Sequence, residues 1–264
     1  MSGEVRPVAG QVAVVHLVWA PLGVERFRKF LASYRAHPAG QAHRLIIVYN
    51  GFQQDAAMDQ WQDVLTDLPH DELVLAAPVL DLAAYREAIE ATDAEFYCFL
   101  NSYSEPLVND WLRLLVGHLN DATIAAVGAS GSYESILTTS HPLTRIRKRG
   151  FPEFPNPHLR TNAFAARREQ LARVQWPTLT SKMDARRFES GPESLTRQLQ
   201  RSGRVVVAGR DGRAYDAGDW QASNTFRASG QINLLVSDNR TREYLAASEE
   251  QREDLERRAW RARA

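Results

Sequence analysis

The chain has 264 residues, of which 44% are hydrophobic and 24% are charged, so it is long enough to fold around a large buried core. Its 32 Lys and Arg residues balance its 32 Asp and Glu residues, which excludes an overall positive field for binding nucleic acid or anionic lipid. The single cysteine, Cys98, cannot form an internal disulfide, which favours a reducing compartment. Its apolar neighbours predict that its side chain is buried.

Neither a leader peptide nor a membrane span is indicated by the sequence. The first ten residues lack a basic start followed by an apolar run. No stretch approaches the ~20 apolar residues that a transmembrane helix needs. We therefore expect a cytoplasmic protein without a transmembrane segment.

Strand-like runs alternate with helical patterns through the first half of the chain. Short apolar runs predict strands at residues 12–19, 44–49, 73–79, 95–100 and 124–127. Apolar spacings of three and four predict helices at residues 24–34, 58–68, 82–91 and 111–119. This alternation predicts an α/β fold with a mostly parallel sheet covered on both faces. Ligands of such sheets bind beyond the carboxyl ends of the strands, which directs attention to residues 19–21, 50–52 and 101–105.

The pattern weakens in the second half. Residues 141–158 carry four basic residues and then several prolines without periodicity, which predicts a mobile lid or a disordered insert. The basic cluster of Arg145, Arg147, Lys148 and Arg149 would either clamp phosphates or keep the loop soluble. A strand leading into a helix is predicted over residues 161–174, a helix over 193–201 and a strand over 205–207.

We expect a main catalytic domain over residues 1–207, with a mobile loop at 140–158, and a C-terminal extension over residues 208–264 packed on it. Asp211 and Gly212 predict a hairpin turn in the extension. A charged helical pattern over residues 243–263 has Leu245, Leu255 and Trp260 as its few apolar anchors. Such a helix is typically either exposed to solvent at a terminus or packed against a second copy of the chain in a homo-oligomer.

The order of these parts resembles a GT-A fold glycosyltransferase of the family 2 type. The segment IEATDAEFYCFLNSYSEPLVNDWLRLLVGHL (89–119) is similar to the stretch in which a helix and an apolar strand lead to an Asp-x-Asp motif. HLRTNAFAARREQL (158–171) resembles the strand and helix of the acceptor side, and FESGPESLTRQLQRSG (188–203) is similar to the acidic segment that carries the general base. The resemblance covers residues 12–207.

This resemblance implies a GT-A-like (Rossmann-like) sheet flanked by helices and the transfer of a sugar from a nucleoside diphosphate sugar to an acceptor hydroxyl. The expected partners are a nucleotide sugar donor and a sugar or glycan acceptor, and no nucleic acid is expected. The segments NSYSEP, GSYES and HLRTNAF resemble segments of bacterial relatives. This resemblance implies a role in bacterial glycan or polysaccharide synthesis.

The sequence departs from the family at the metal motif. The family's aspartates hold a divalent cation, Mg²⁺ or Mn²⁺, that neutralises the leaving diphosphate. Here the strand ends in Asn-Ser-Tyr-Ser-Glu, so Asn101 and Glu105 are the candidate metal ligands and only Glu105 is charged. The alternatives are a weakly bound cation, cationic side chains such as Arg86 and the basic cluster in its place, or catalysis lost on a retained fold.

The other candidate site residues follow from the resemblance and from the strand ends. Glu189 and Glu193 are the candidates for the general base of an inverting transfer, and the spacing does not decide between them. The candidates for donor binding are Asn50, Asp81, Tyr85, Arg86, Asn101 and Ser102. The alternating residues His158, Arg160 and Asn162 would line one face of a strand on the acceptor side.

Two other classes of function stay open. A non-catalytic nucleotide- or sugar-binding protein would explain the missing Asp-x-Asp motif directly. A nucleotidyltransferase-like enzyme is the second alternative, although residues 19–23 lack the glycine-rich basic loop that nucleotidyl transfer needs. Dinucleotide binding is disfavoured because no Gly-x-Gly-x-x-Gly follows the first strand.

Overall fold

The computed structural model describes residues 5–52, 58–137 and 150–261. The strands are β1 Val12–Trp19, β2 Arg44–Asn50, β3 Asp71–Val74, β4 Phe96–Leu100, β5 Glu105–Pro106, β6 Ile124–Gly128, β7 Gly131–Ser132, β8 His158–Leu159, β9 Ala163–Arg167, β10 Arg204–Ala208, β11 Ala214–Tyr215 and β12 Val236–Ser237. The α-helices are α1 Val24–Ala36, α2 Asp59–Gln62, α3 Asp81–Ala91, α4 Trp111–Val116, α5 Arg168–Ala172, α6 Lys182–Ser190, α7 Leu195–Gln200, α8 Asn239–Ala246 and α9 Glu249–Trp260.

The central sheet has the strand order β11-β10-β6-β9-β4-β1-β2-β3. Strand β1 runs parallel to β2 and β4, β2 runs parallel to β3, and β6 runs parallel to β10. Strand β9 is antiparallel to both of its neighbours, β4 and β6. The predicted α/β fold with a mostly parallel sheet is therefore confirmed, and the reversed β9 brings its amino end to the edge where its neighbours have their carboxyl ends.

Each face of the sheet has its own apolar core, because both faces of the buried strands are hydrophobic. On one face, Cys98 and the other strand residues of that face pack against Phe30 of α1 and Trp111 of α4. Cys98 is a free, buried cysteine, as predicted. On the other face, Phe99 and Phe164 pack against Tyr85 of α3 and against the helices that follow β9.

The last part of the chain contributes to the sheets and to the second core. Strand β11 pairs antiparallel with β10 after a turn at Asp211 and Gly212, and β12 pairs antiparallel with β5. Trp220 and Trp260 are buried in the same core as Phe99. None of the helices in the described residues is long and apolar enough to cross a membrane.

Several predicted elements differ from the observed ones. The predicted helix at 58–68 is a short α2 continued by a 3-10 turn, and the predicted strand at 73–79 ends at Val74. The charged tail is two helices, because Ser248 caps a new helix with its side chain. Leu245 is 47% exposed, so its predicted role as an apolar anchor is wrong. Helix α6 was not predicted, although Ser181 and Asp184 form a capping box at its start.

Candidate functional site

The carboxyl ends of β1, β2 and β4 meet the amino end of β9 at one edge of the sheet. Trp19 pairs with Asn50 at the ends of β1 and β2. Next to β4, the backbone N–H of Asn101 donates to the carbonyl of Asn162 at 2.9 Å, just before β9 begins. The residues predicted from the strand ends therefore lie along one edge, which is where ligands of such sheets bind.

Glu189 reaches this edge from α6. The Thr161 hydroxyl donates a hydrogen bond to its Oε1 at 2.9 Å, and the Tyr85 hydroxyl donates to the carbonyl of Thr161 at 3.2 Å. Burial raises the pKa of Glu189; the Thr161 hydrogen bond opposes this shift, and the charge of Asp81 adds to it. Asp81 begins α3, so the charge that acts on Glu189 comes from a distant segment of the chain.

Glu193, the other candidate base, points away from this edge. Its two carboxylate oxygens accept hydrogen bonds from Arg201 at 2.7 and 2.8 Å. Both side chains are more than half exposed, at 65% for Glu193 and 60% for Arg201. This hydrogen bond lowers the pKa of Glu193. The structure thus brings one of the two predicted bases to the strand ends and leaves the other on the surface.

Two of the predicted donor-binding residues use their side chains to shape loops. The amide of Asn50 is buried and binds the backbone of Val79 twice, through Nδ2 at 2.8 Å and through Oδ1 at 3.0 Å. Oδ1 of Asn101 accepts from the backbone N–H of Tyr103 and from the hydroxyl of Ser104, both at 3.0 Å. These bonds fix the loops that follow β2 and β4.

The remaining donor candidates differ in their exposure. Tyr85 is fully buried and packs on Phe99, while Arg86 is exposed on the outer side of α3 and pairs with Glu90 at 2.7 Å. Ser102 is buried, and its carbonyl accepts a hydrogen bond from Arg26. Arg86 is therefore not brought to the strand ends.

The loop that stands in place of the Asp-x-Asp motif is held by two arginines. Glu105 forms ion pairs with Arg26 and with Arg242, the latter at 3.3 Å. The same arginines donate to backbone carbonyls of the loop, Arg26 to Ser102 and Arg242 to Tyr103, each at 3.1 Å. Positive charge thus surrounds the segment that follows β4.

These side chains do not fit a divalent cation. A hard cation needs several oxygen ligands, most of them charged. The Glu105 carboxylate is already neutralised by two guanidinium groups, and the Asn101 oxygen accepts two hydrogen bonds from its own loop. Among the described residues, no group of three or more His, Cys, Asp or Glu side chains could hold a metal ion.

The predicted acceptor residues do not share the face of one strand. Strand β8 ends at Leu159, and residues 161–162 form a turn before β9, so the prediction of a common strand face is wrong. His158 binds the carbonyl of Asn156 through Nδ1, and burial lowers its pKa to about 4. Arg160 pairs with the buried Asp238 at 2.6 Å. Asn162 is buried, and neither polar atom of its side chain has a hydrogen-bond partner among the described residues.

Several residues at this edge were not predicted from the sequence. Thr161, Arg26 and Arg242 contact the candidate residues, yet each lies far along the chain from its partner. Asp238 carried a local signal, because Asp-x-x-Thr is typical of a helix cap, and it does cap α8. The basic cluster from Arg145 to Arg149 lies outside the described residues.

Open clefts of about 630 and 690 Å³ lie at the opposite, amino-end edge of the sheet. The first is lined by residues such as His118 and Arg204, the second by residues such as Glu95 and Arg168. Parallel sheets bind their ligands at the carboxyl ends, so we place the candidate site there and not at the clefts.

The structure is similar to solved glycosyltransferases. A mannosyltransferase from Pyrobaculum calidifontis in complex with GDP-Man and Mn²⁺ matches 82% of this chain with a TM-score of 0.53 and 14% identity. The chain spans 60% of the length of that protein. Glucosyl-3-phosphoglycerate synthase from Mycobacterium tuberculosis, in complex with Mn²⁺, UDP and glucosyl-3-phosphoglycerate, matches 63% of this chain and 60% of its own, with a TM-score of 0.43 and 16% identity.

No protein-family model matches the chain, and neither does any curated protein. At 14% identity, the likeness to the mannosyltransferase bears on the fold. Together with the mostly parallel sheet and its flanking helices, it shows that this chain has the α/β, Rossmann-like fold of the GT-A type.

Proposed function

We propose that this protein is a glycosyltransferase that moves a sugar from a nucleoside diphosphate sugar to an acceptor hydroxyl with inversion, in bacterial glycan synthesis. The observation that carries the proposal is the position of Glu189. It is a partly buried carboxylate at the carboxyl edge of a GT-A-like sheet, held there by Thr161. Fold alone does not fix a reaction, so the assignment depends on this site.

Glu189 has the properties of a general base. Thr161 holds Oε1, so Oε2 is the oxygen that removes the proton from the acceptor hydroxyl. The acceptor oxygen then bonds to the anomeric carbon while the bond from that carbon to the diphosphate breaks. Because burial raises the pKa of Glu189, this carboxylate is a stronger base than an exposed one. Tyr85 fixes the Thr161 backbone and so supports the position of the base.

Arg26 and Arg242 are the groups that we assign to the leaving diphosphate. They share one carboxylate, Glu105, so the cluster of three side chains keeps a net positive charge. Guanidinium groups donate paired hydrogen bonds to phosphate oxygens and stabilise the charge that develops there. In this proposal the arginines take the place of the divalent cation that the family uses.

The test is a comparison of two glutamate variants in nucleotide sugar turnover. Glu189→Gln keeps the shape and removes the base, so we expect turnover to fall at least about 100-fold while nucleotide binding, measured by thermal shift, is unchanged. Glu193→Gln is the matched control, because Glu193 pairs with Arg201 at the surface and should leave turnover unchanged. Turnover by Glu189→Gln equal to that of the wild type would contradict the assignment of the base.

A non-catalytic binding protein is the second candidate. The observation that favours it is the pairing of Glu105 with two arginines in place of free metal ligands. Nucleotide sugar binding without any turnover by the wild-type protein would support this alternative. A homo-oligomer formed through the C-terminal helix stays a prediction, which light scattering of the full chain would check.

A further inference from the structure

Arg227 is a buried arginine whose guanidinium donates no hydrogen bond to any described residue. Its side chain is 7% exposed, and its Nε is buried without a hydrogen-bond partner in the described part of the chain. The nearest carboxylates, those of Glu134 and Glu243, lie 3.7 and 3.6 Å from its two Nη atoms, beyond hydrogen-bond distance. A buried donor without an acceptor costs free energy, so this arrangement calls for an explanation.

A second guanidinium contacts the same aromatic ring as the first. Arg160 stacks on the ring of Phe226 with 4.1 Å between its guanidinium carbon and the ring centroid, and Arg227 lies 4.9 Å from the same centroid. The charge of Arg160 lowers the pKa of Arg227 in addition to the larger effect of burial, and the carboxylate of Glu134 opposes both. Two cations held near one aromatic ring repel each other, and an anion close to both would offset this repulsion.

The backbone around Arg227 holds the side chain in this place. Arg227 has φ 42°, a left-handed conformation that an arginine rarely adopts. Its N–H donates to Gln231 at 3.1 Å, and its carbonyl accepts from the Trp260 indole at 3.1 Å. Such conformations persist only where the surroundings enforce them, and they are concentrated at functional sites.

This pair of arginines adjoins the candidate active site. Arg160 is followed by Thr161, which holds Glu189, and the charge of Arg160 acts on the pKa of Glu189. Asp238 fixes Arg160 through a salt bridge of 2.6 Å. A group bound by Arg160 and Arg227 would therefore lie close to the base.

We propose that Arg227 and Arg160 form a subsite for an oxyanion, a phosphate or carboxylate group, beside Glu189. An oxyanion would accept the N–H donors that Arg227 leaves unused, and its charge would offset the repulsion between Arg227 and Arg160. Glu134 and Glu243 lie close enough to offset part of the charge of Arg227 without accepting its hydrogen bonds. If the proposed glycosyl transfer holds, the group belongs to the acceptor or to the donor diphosphate, and the two sources are separable by experiment.

The test is a titration of the full chain with inorganic phosphate at constant ionic strength. Binding is measured by calorimetry and by thermal shift. We expect Arg227→Gln to weaken phosphate binding at least about tenfold, because charge-assisted hydrogen bonds are lost. Glu243→Gln should strengthen binding, since it removes a carboxylate that competes for Arg227. Arg28→Gln is the matched control, because Arg28 is a 53% exposed arginine that also pairs with a glutamate, and it should bind as the wild type does.

Arg227→Lys guards against a folding defect in the glutamine variant. It keeps the charge but not the planar fork, so we expect phosphate affinity between those of the wild type and Arg227→Gln. Absence of phosphate binding by the wild type would overturn the subsite. So would phosphate affinities of both Arg227 variants that equal the wild-type affinity, with circular dichroism unchanged. The titration involves no sugar transfer, so failure of the proposed function and failure of the subsite are distinguishable.

The source of the oxyanion is identified by repeating the titration with UDP and GDP. If Arg227→Gln weakens nucleoside diphosphate binding as strongly as phosphate binding, the subsite holds the donor diphosphate. If nucleoside diphosphate binding is unchanged and phosphate still binds in its presence, the subsite holds an anionic group of the acceptor. Either result supports an oxyanion site at Arg227.

Discussion

His16 is a titratable residue buried in an aromatic layer. It lies on β1 with 1% of its surface exposed, and its ring stacks on Phe30 at 3.4 Å between centroids. Its Nδ1 has no hydrogen-bond partner within residues 5–52, 58–137 and 150–261. Burial, and to a smaller extent the charge of Arg26, lower its pKa well below the ordinary value, so the folded protein holds this histidine in its neutral form.

The stability of the protein should therefore fall with pH below about 6.5, where the unfolded histidine gains a proton that the folded one does not. His16 contributes up to about 1.4 kcal/mol per pH unit to this fall, until the folded pKa is reached. His16→Phe removes this contribution and keeps the stacked ring. Denaturant unfolding at pH 7.5, 6.5 and 5.5 should show a shallower pH dependence for the variant. Identical pH dependence for the two proteins would mean that His16 is protonated in the folded state.

Helix α9 is attached to the second core mainly through Trp260. This residue is 5% exposed, its ring meets Tyr133 edge-on, and its indole N–H donates to the carbonyls of Phe226 and Arg227. We expect Trp260→Ala to lower the free energy of unfolding by about 3–5 kcal/mol, because a large buried ring is removed. Leu245→Ala, at an exposed position, should change it by less than about 0.5 kcal/mol. Urea unfolding checks both values, and equal effects would place Trp260 outside the core.

At the scale of elements, the hydrophobic periodicity predicted those strands and helices whose positions the local sequence determines. The buried strands β1, β2 and β4 are continuous apolar runs, and α1 and α3 have clear helical spacing, so these elements were predicted near their observed positions. Helix α6 was missed because most of its residues are polar and Phe188 is its one buried residue. The capping box at its start was therefore its local sequence signal. The break in the C-terminal helix was missed because a capping serine inside a charged run does not change its polarity.

At the scale of the whole molecule, the candidate site is assembled from segments that no local pattern connects. Asn101 and Asp81 could be selected from the sequence because they follow or begin predicted elements at the edge of a parallel sheet. The choice of Glu189 over Glu193 needed the structure, since only the packing of α6 shows which glutamate meets Thr161. The pairing of Arg26 with Glu105 joins α1 to the loop after β4, a contact that sequence spacing does not reveal.

The cluster of Arg26, Glu105 and Arg242 joins the first helix of the chain to the C-terminal part, and it leads to a prediction about metal dependence. Because Glu105 is paired with two guanidinium groups, we expect UDP or GDP to raise the melting temperature equally in EDTA and in Mn²⁺. Arg242→Gln should weaken this binding about tenfold, since it removes a charge-assisted contact with phosphate.

The matched control is Arg44→Gln, which also removes an arginine from a salt bridge, in this case with Asp71, away from the carboxyl-end edge. A nucleotide shift that requires Mn²⁺ and disappears in Glu105→Gln would identify Glu105 as a metal ligand, and the arginines would then serve only to hold the loop. A shift that is independent of Mn²⁺, falls with added salt and is lost in Arg242→Gln would mean that this GT-A-like chain binds the diphosphate by its own cations.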